Sequence, residues 1–405
     1  MNVMADLRRR LEADDRAAGV PTGRSASGQT GRTSRRWTIN GDFLALNPNG
    51  VARHARETVL AMDKLVEDRH PLTEGLRLEV VAPRTPDRAF ALQAIPLRVV
   101  EEFHRPRLPQ FWVQMQLPFY VEGGLISFCN LAPVAIARQI VCIHDLHTYI
   151  MPESYGRGFR WMHRLVLPLL GKRVRSIATV SRFSRDCIVE YRVASRDKIT
   201  VVHNGADHLR RWDAAASDME FGAKPFVLCL GQPQPYKNLQ LALSLLPALD
   251  HMGLDLAIAG DIGEGYIREQ VGSIPDNLRL LGRLSDNDLA KAFTQAFCFL
   301  FPSRIEGFGL PAVEAMLQGC PVIASRAAAI PEICGDAVLY GDVDDPVEWI
   351  AALRKLKQQP EMRAALSEAG RIRAAGYSWQ GVAENYLRMM AKVDADEAVT
   401  GNRRA

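Results

Sequence analysis

The sequence predicts a two-domain α/β fold with mainly parallel sheets, and three observations carry that reading. At 405 residues, the chain exceeds the roughly 250–300 residues beyond which one hydrophobic core usually splits. Short apolar runs alternate with helix-length segments through both halves, the rhythm of parallel sheets covered on both faces. The segment 298–325, CFLFPSRIEGFGLPAVEAMLQGCPVIAS, condenses that rhythm into one βαβ unit. An apolar run (298–301) leads to a loop with Gly307 and Gly309. A helix opened by Pro311 and closed by Gly319 follows, then a second apolar run (321–324). Proline just inside a helix start and glycine just past its end mark those limits.

The first half opens with TINGDFLALNP (38–48) as a strand, Asn49-Gly50 as a turn and 51–65 as a helix. RLEVVAP (77–83), GGLISFCN (123–130) and QIVCIHDL (139–146) read as short strands. Residues 158–170 form a helix, SIATVS (176–181) a strand and 182–192 a helix. KITVVHNGAD (198–207) is a strand that runs into a turn. Residues 208–224 are polar, lack a period and end before Pro225, which makes them the expected linker. The second half restarts with PFVLCLG (225–231) as a strand and NLQLALSLLPAL (238–249) as a helix. LDLAIAG (254–260) and NLRLLG (277–282) are strands, and DNDLAKAFTQA (286–296) is a helix. SWQGVAENYLRMMAK (378–392) has the pattern of an amphipathic helix. The expected division is an arm 1–36, domains at 37–207 and 225–375, a helix within 376–392 and a tail 393–405.

Composition excludes several classes. A formal charge of +4 is small, and no zinc-finger spacing or RNA-binding signature accompanies it, so no nucleic-acid partner is expected. The seven cysteines (129, 142, 187, 229, 298, 320, 334) are odd in number and form no C-x-x-C. That pattern fits a reduced, cytoplasmic setting without a zinc site. No run of about 18 uncharged apolar residues is present to make a membrane span. Residues 1–36 hold eight arginines, four acids and a Gly/Ser/Thr-rich run at 23–34. They read as a basic arm without the apolar core of a secretory signal. Its plainer reading is an inert extension; its functional reading is peripheral contact with the anionic inner membrane surface.

The 298–325 unit also carries chemistry. A helix N-terminus bears unpaired N–H groups and about half a positive charge, so it suits a phosphate. Glu306 in the loop and Glu314 in the expected first turn flank that site, and carboxylates can hold hydroxyl groups. Phosphate and hydroxyls together point to a sugar nucleotide. Taken singly, each residue has a plainer role: Glu314 as a dipole complement, Glu306 as a solvated loop residue, the glycines as turn formers. Elsewhere, GQPQPYKN (231–238) follows a strand and places Lys237 and Asn238 before a helix. A lysine there can neutralise a diphosphate, or it can be a solvated surface-loop residue with little weight in stability. Gly50 and Val51, in LNPNGVARHARETV (46–59), begin a helix whose positive end points toward a ligand. His144 lies at a strand end in CIHDLH, where a structural role is the commoner one.

The full 298–325 string closely resembles the E-x7-E signature of retaining glycosyltransferases of family four. These enzymes have the GT-B fold, two Rossmann-like domains facing each other across a cleft, and the resemblance spans about residues 40–392. It implies an N-terminal acceptor-side domain, a C-terminal nucleotide-sugar domain and a last helix that crosses back to the first. It implies that Glu306 lies near the sugar hydroxyls and Glu314 near the ribose. Lys237, and the amides of Gly307, Phe308, Gly309 and Leu310, would meet the diphosphate. His144 would touch the transferred sugar, Gly50 and Val51 would form a glycine loop, and Arg283 and Leu284 would meet the base through their backbone. Gln232 departs from the pattern, because many members carry an arginine there, so charge stabilisation would rest on Lys237, the loop amides and the helix dipole.

The implied reaction is retaining transfer of a hexose, by family frequency mannose, from a GDP- or UDP-type sugar to a glycan or a polyprenyl-diphosphate-linked acceptor. Bacterial surface polysaccharide synthesis is the implied setting. No cofactor and no metal are expected. Asp342 and Asp344 form a DVD string, but an N-cap role before Pro346 suffices for it. GDIGEG (260–265) departs from dinucleotide spacing. The alternatives are another GT-B enzyme, such as a sugar-nucleotide epimerase or a phosphorylase, and a non-catalytic partner subunit that keeps the fold.

Overall fold

The computed structural model describes residues 35–47, 49–87, 90–102 and 110–402, all within one compact unit. The arm falls outside them except for Arg35 and Arg36. These two are already in the first strand, so that strand takes in two residues before the expected boundary.

Two parallel sheets organise the unit. The first contains β1 (Arg35–Asn40), β2 (Leu76–Ala82), β3 (Leu97–Val99), β4 (Gly124–Ser127), β5 (Gln139–Cys142), β6 (Ser176–Thr179) and β7 (Ile199–Val201), in the spatial order β3-β2-β1-β4-β5-β6-β7. The second contains β8 (Phe226–Leu230), β9 (Asp255–Ala259), β10 (Leu278–Gly282), β11 (Cys298–Phe301), β12 (Val322–Ser325) and β13 (Leu339–Gly341), in the order β10-β9-β8-β11-β12-β13. Strand order reverses between β1 and β4 and again between β8 and β11. In open α/β sheets ligands bind beyond the carboxyl ends of strands at such switch points. At the first of them the Asn40 amide donates to Ser127 Oγ (3.2 Å) and ties β1 to β4.

The expected elements recur with shorter strands. β1 ends at Asn40 because Gly41 opens a 3₁₀ turn, Asp42–Ala45. Asn49-Gly50 is not a turn: Asn49 caps the helix Gly50–Glu67 by accepting from Ala52 N–H (2.9 Å), and Gly50 is its first residue. The single helix expected over 238–249 divides into Leu239–Ser244 and Leu246–His251. Pro247 lacks the N–H that would continue the first helix. The glycine turn at 260–265 passes into a helix, Glu264–Val271. β3 and β13, three residues each at sheet edges, are too short to announce themselves by alternation. The final helix, Trp379–Asn402, runs past residue 392 into the expected tail.

The largest apolar cluster is continuous from Trp37, Ile39 and Ile126 of the first sheet, through Tyr386, Leu387 and Met390, to Phe299 of the second and Ala312 of the helix Leu310–Leu317 that follows it. The final helix therefore stitches the halves together. Asp394 accepts from Trp37 Nε1 (3.0 Å), Arg35 Nε (2.6 Å) and Arg138 (2.7 Å), fixing the helix end against β1. Among the described residues, no helix is long and apolar enough to cross a membrane.

Candidate active site

β8 delivers Lys237 through the 3₁₀ turn Pro235–Lys237, and β11 delivers Glu306 through the loop that follows it. Their side chains meet: Lys237 Nζ donates to Glu306 Oε1 at 2.8 Å. Both are largely buried, with 18% and 11% of the side chain exposed. The loop holding Lys237 is braced by Asn238, whose left-handed backbone (φ 54°) aims its amide at Pro302 O (3.2 Å) and Val343 O (2.8 Å). Asn238 thus positions the lysine, and its donors are taken up by the loop. Burial alone would pull the lysine pKa down, but Glu306 and Tyr236 beside it outweigh that, and Lys237 is raised above the ordinary lysine value. The expectation of a solvated surface lysine is corrected here.

The loop 307–310 packs directly against the first half. A Cβ on Gly307 would stand 2.6 Å from His144 O, so only glycine lets the two strand ends approach this closely. Ser184 Oγ donates to the same His144 carbonyl (2.7 Å). Gly309, at φ 90°, precedes the helix Leu310–Leu317, which no side chain caps. Pro311 has no N–H and the Ala312 N–H donates to Gly309 O (3.0 Å), so in this first turn the Leu310 N–H remains for a ligand. Glu314 lies beyond the first turn, where no acid is found, so complementing the dipole is not its role. It is buried, and His208 Nε2 donates to its Oε1 at 3.0 Å, with Arg53 Nε 3.9 Å away. Trp379 Nε1 donates to His208 Nδ1 (3.0 Å); that leaves the His208 proton on Nε2, facing the carboxylate.

His144 is buried beneath the loop. Its Nε2 meets Phe128 O at 2.7 Å and its backbone N–H donates to Asn130 Oδ1 at 2.7 Å. Burial disfavours its charged form, but Cys142 and the Phe128 carbonyl outweigh that, and its pKa is raised. His54, Cys142 and His144 place their ligating atoms within 4.8 Å of one another. Three of the ring nitrogens are already engaged: His54 Nδ1 with Asn204 (2.7 Å), His54 Nε2 with Tyr386 (3.0 Å) and His144 Nε2 with Phe128 O. A cation would have to break those bonds in a fully buried setting, so the cluster reads as a hydrogen-bonded floor under His144. Asp342 and Asp344 form an Asx turn with Asp344 paired to Arg304, and Asp345 is the residue that caps the next helix. The cap expected within the DVD string lies one residue beyond it.

The remaining candidates are more open to solvent. Gln232 and Arg283 are exposed and Leu284 is half-buried. Gly50 has open space where a Cβ would project, and Val51 is half-buried beside it. Two residues that bridge the halves are Arg53, at a position where the family resemblance expects an arginine, and Glu332, which no sequence pattern singled out. Arg53 spans from the Gly50–Glu67 helix to Asp286 (2.7 Å) and lies 5.1 Å over the Trp212 ring. Glu332 accepts from the N–H groups of Arg182 (2.9 Å) and Phe183 (3.2 Å) and meets His203 Nε2 at 3.0 Å. An acid at 332 or an arginine at 53 has no sequence neighbour that reveals these partners.

With that geometry in place, residues 211–373 match the family model described as Glycosyl transferases group 1. Those residues, in the second half of the chain, are similar to that family. This glycosyltransferase is 29% identical over 285 residues to O-antigen chain mannosyltransferase B of Escherichia coli, covering 67% of this chain and 74% of that protein. It is 24% identical over 232 residues to the O-antigen chain mannosyltransferase RfbU of Salmonella typhimurium, covering 56% of this chain and 63% of the relative. Its fold is similar to that of sucrose-phosphate synthase from Thermosynechococcus elongatus, with TM-score 0.68, 16% identity, and 89% of this chain and 100% of that one covered. The glycosyltransferase thus has the GT-B architecture, with Gly307 of the second half set against His144 of the first.

Proposed function

We propose that this glycosyltransferase moves mannose, with retention of configuration and without a metal, from a GDP- or UDP-type sugar to a hydroxyl of a growing or lipid-linked bacterial glycan. The observation that carries the reading is the buried Lys237–Glu306 pair (2.8 Å) beside the uncapped helix that bears Glu314. A diphosphate seated on that helix end would compete with Glu306 for Lys237 and leave the carboxylate to accept sugar hydroxyls. Negative charge grows on the departing phosphate, so preorganised donors aimed at it supply the largest catalytic contribution. In the proposed course the acceptor oxygen attacks the sugar on the face from which the nucleotide diphosphate departs. His144 contacts the sugar, and Glu314 accepts from ribose hydroxyls through the oxygen that His208 does not hold. The names of the two O-antigen mannosyltransferases support the choice of sugar and of setting.

The test is a panel of nucleotide sugars, including GDP-mannose and UDP-glucose, incubated with and without a lipid-linked glycan acceptor. Acceptor-dependent release of the nucleoside diphosphate with a new α-linkage is the expected result. Interconversion of the sugar nucleotide without an acceptor would replace this reading with an epimerase.

A further inference from the structure

A buried polar chain that the proposed reaction does not use runs behind His144. His54 lies on the inner face of the helix Gly50–Glu67 and is fully buried. An imidazole is costly to bury unless its nitrogens are bonded, and here both are. Asn204, in the loop after β7, offers its Oδ1 to His54 Nδ1 at 2.7 Å; a carbonyl oxygen only accepts, so Nδ1 carries the hydrogen. Tyr386 of the final helix donates its hydroxyl proton to His54 Nε2 (3.0 Å). These two bonds fix the tautomer of His54 and the plane of its ring. That ring stands edge to face against His144, with centroids 4.7 Å apart and planes at 88°. Phe128 completes the enclosure. Its carbonyl accepts from His144 Nε2 (2.7 Å), while its ring packs edge to face on Tyr386 (5.0 Å) and His54 (5.9 Å).

We propose that His54 and Tyr386 are positioning residues for the transfer, holding the His144 ring at the angle at which it meets the sugar. That role rests on the contact between His144 and the sugar proposed above. Packing alone does not require the chain, because apolar side chains of similar volume would fill the space with no polar atoms to satisfy. Buried hydrogen bonds between elements select one orientation instead. Here they join the Gly50–Glu67 helix, the loop after β7 and the final helix behind a residue that follows β5. The final helix braces the other end of the site in the same way. Trp379 stands seven residues before Tyr386, so both lie on one face, and the His54 ring is 5.8 and 5.9 Å from theirs. Trp379 Nε1 donates to His208, which holds Glu314. One helix thereby supports the group proposed for the sugar and the group proposed for the ribose. Misplacing a contact by about 1 Å can cost about 100-fold in rate, which is what such bracing prevents.

The test compares GDP-mannose with GDP by titration calorimetry on the full chain, since only the first carries a sugar. Tyr386→Phe removes one hydroxyl and keeps the ring, and Asn204→Ala removes the other support of His54. Each should weaken GDP-mannose about fivefold and leave GDP within about twofold of wild type. The ring-nitrogen NMR signals of His144 should shift in both variants. Tyr386→Phe should add nothing to His144→Ala in the double variant, because no ring is then left to hold. Undiminished GDP-mannose binding by both variants, with His144→Ala impaired, would overturn this positioning role and leave the proposed function standing. Equal losses for GDP and GDP-mannose would also overturn it, because a general loosening of the fold reaches the whole ligand. If His144→Ala itself binds GDP-mannose normally, the sugar contact fails and the positioning role falls with it. A wild type that does not bind GDP-mannose would have the same consequence.

Discussion

Glu314→Gln separates a ligand-binding carboxylate from a structural one. The native side chain has two oxygens with different surroundings. Oε1 accepts from His208 Nε2 (3.0 Å), and Arg53 stands 3.9 Å away. The other oxygen is the one proposed to take the ribose hydroxyls. Glutamine keeps the shape and can still accept from His208 through its carbonyl, so the His208–Trp379 chain survives with one bond converted from charged to neutral. That conversion costs roughly 1 kcal/mol of stability. Losing a charge-assisted ribose contact costs about 1.5–3 kcal/mol of binding, equivalent to about 10- to 150-fold in Kd. Free nucleoside diphosphate carries the same ribose, so its affinity should fall by a similar factor. Titration calorimetry with the diphosphate and a melting curve on the same sample measure both quantities. A variant that binds GDP and UDP as the wild type does, yet melts lower, would refute the ribose role and leave Glu314 as the anchor of His208.

Three further expectations follow from the same geometry. Lys237→Ala should lower kcat by about 10²–10³, and it should also lower stability by about 1–3 kcal/mol, because it strands Glu306 in a largely buried site; activity within threefold of wild type would remove Lys237 from the reaction. Transfer should persist in excess EDTA, and complete loss restored by magnesium would reinstate a metal at Asp342 and Asp344. Glu332, although burial disfavours its charge, is lowered below the usual 4.5 by His203 and the Arg182 and Phe183 amides. A depressed carboxylate stabilises the fold above its unfolded pKa and loses that contribution as pH falls through its folded value. The melting temperature of Glu332→Gln should therefore lie below wild type at neutral pH and converge with it below about pH 4.5; a constant gap across that range would mean the charge is not what binds.

The placement of Lys237 shows where local reading stopped. A lysine in a loop before a helix is a solvated residue by default, and GQPQPYKN supplies no sign of burial. It is buried because β8 and β11, adjacent in space across the switch point, are separated in sequence by the whole β9–β10 excursion. The Asn49 cap, by contrast, needs only Ala52, three residues on, and helix and strand positions were legible wherever such near neighbours set the conformation. Where competition was local but fine, as at Pro247, boundaries shifted. Of the three three-residue edge strands, β3 and β13 were missed because they hold too few residues for a period, while β7 was legible within the longer run 198–207.

The sequence by itself determined the alternation of strands and helices, the βαβ unit at 298–325 with its proline and glycine punctuation, and the family that unit implies. The alternation and the βαβ unit rest on interactions within about one helical turn or one strand, which propensity and periodicity record directly; the family rests on the resemblance of the whole string. Only the tertiary structure decided that Lys237 meets Glu306, that His208 turns its proton to Glu314, and that Arg53 and Glu332 fasten one sheet's helices to the other's. Those contacts join residues 69 to 233 positions apart. A one-dimensional pattern carries no information at that separation, because the partners are chosen by where two twisted sheets and a returning helix bring their strand ends together.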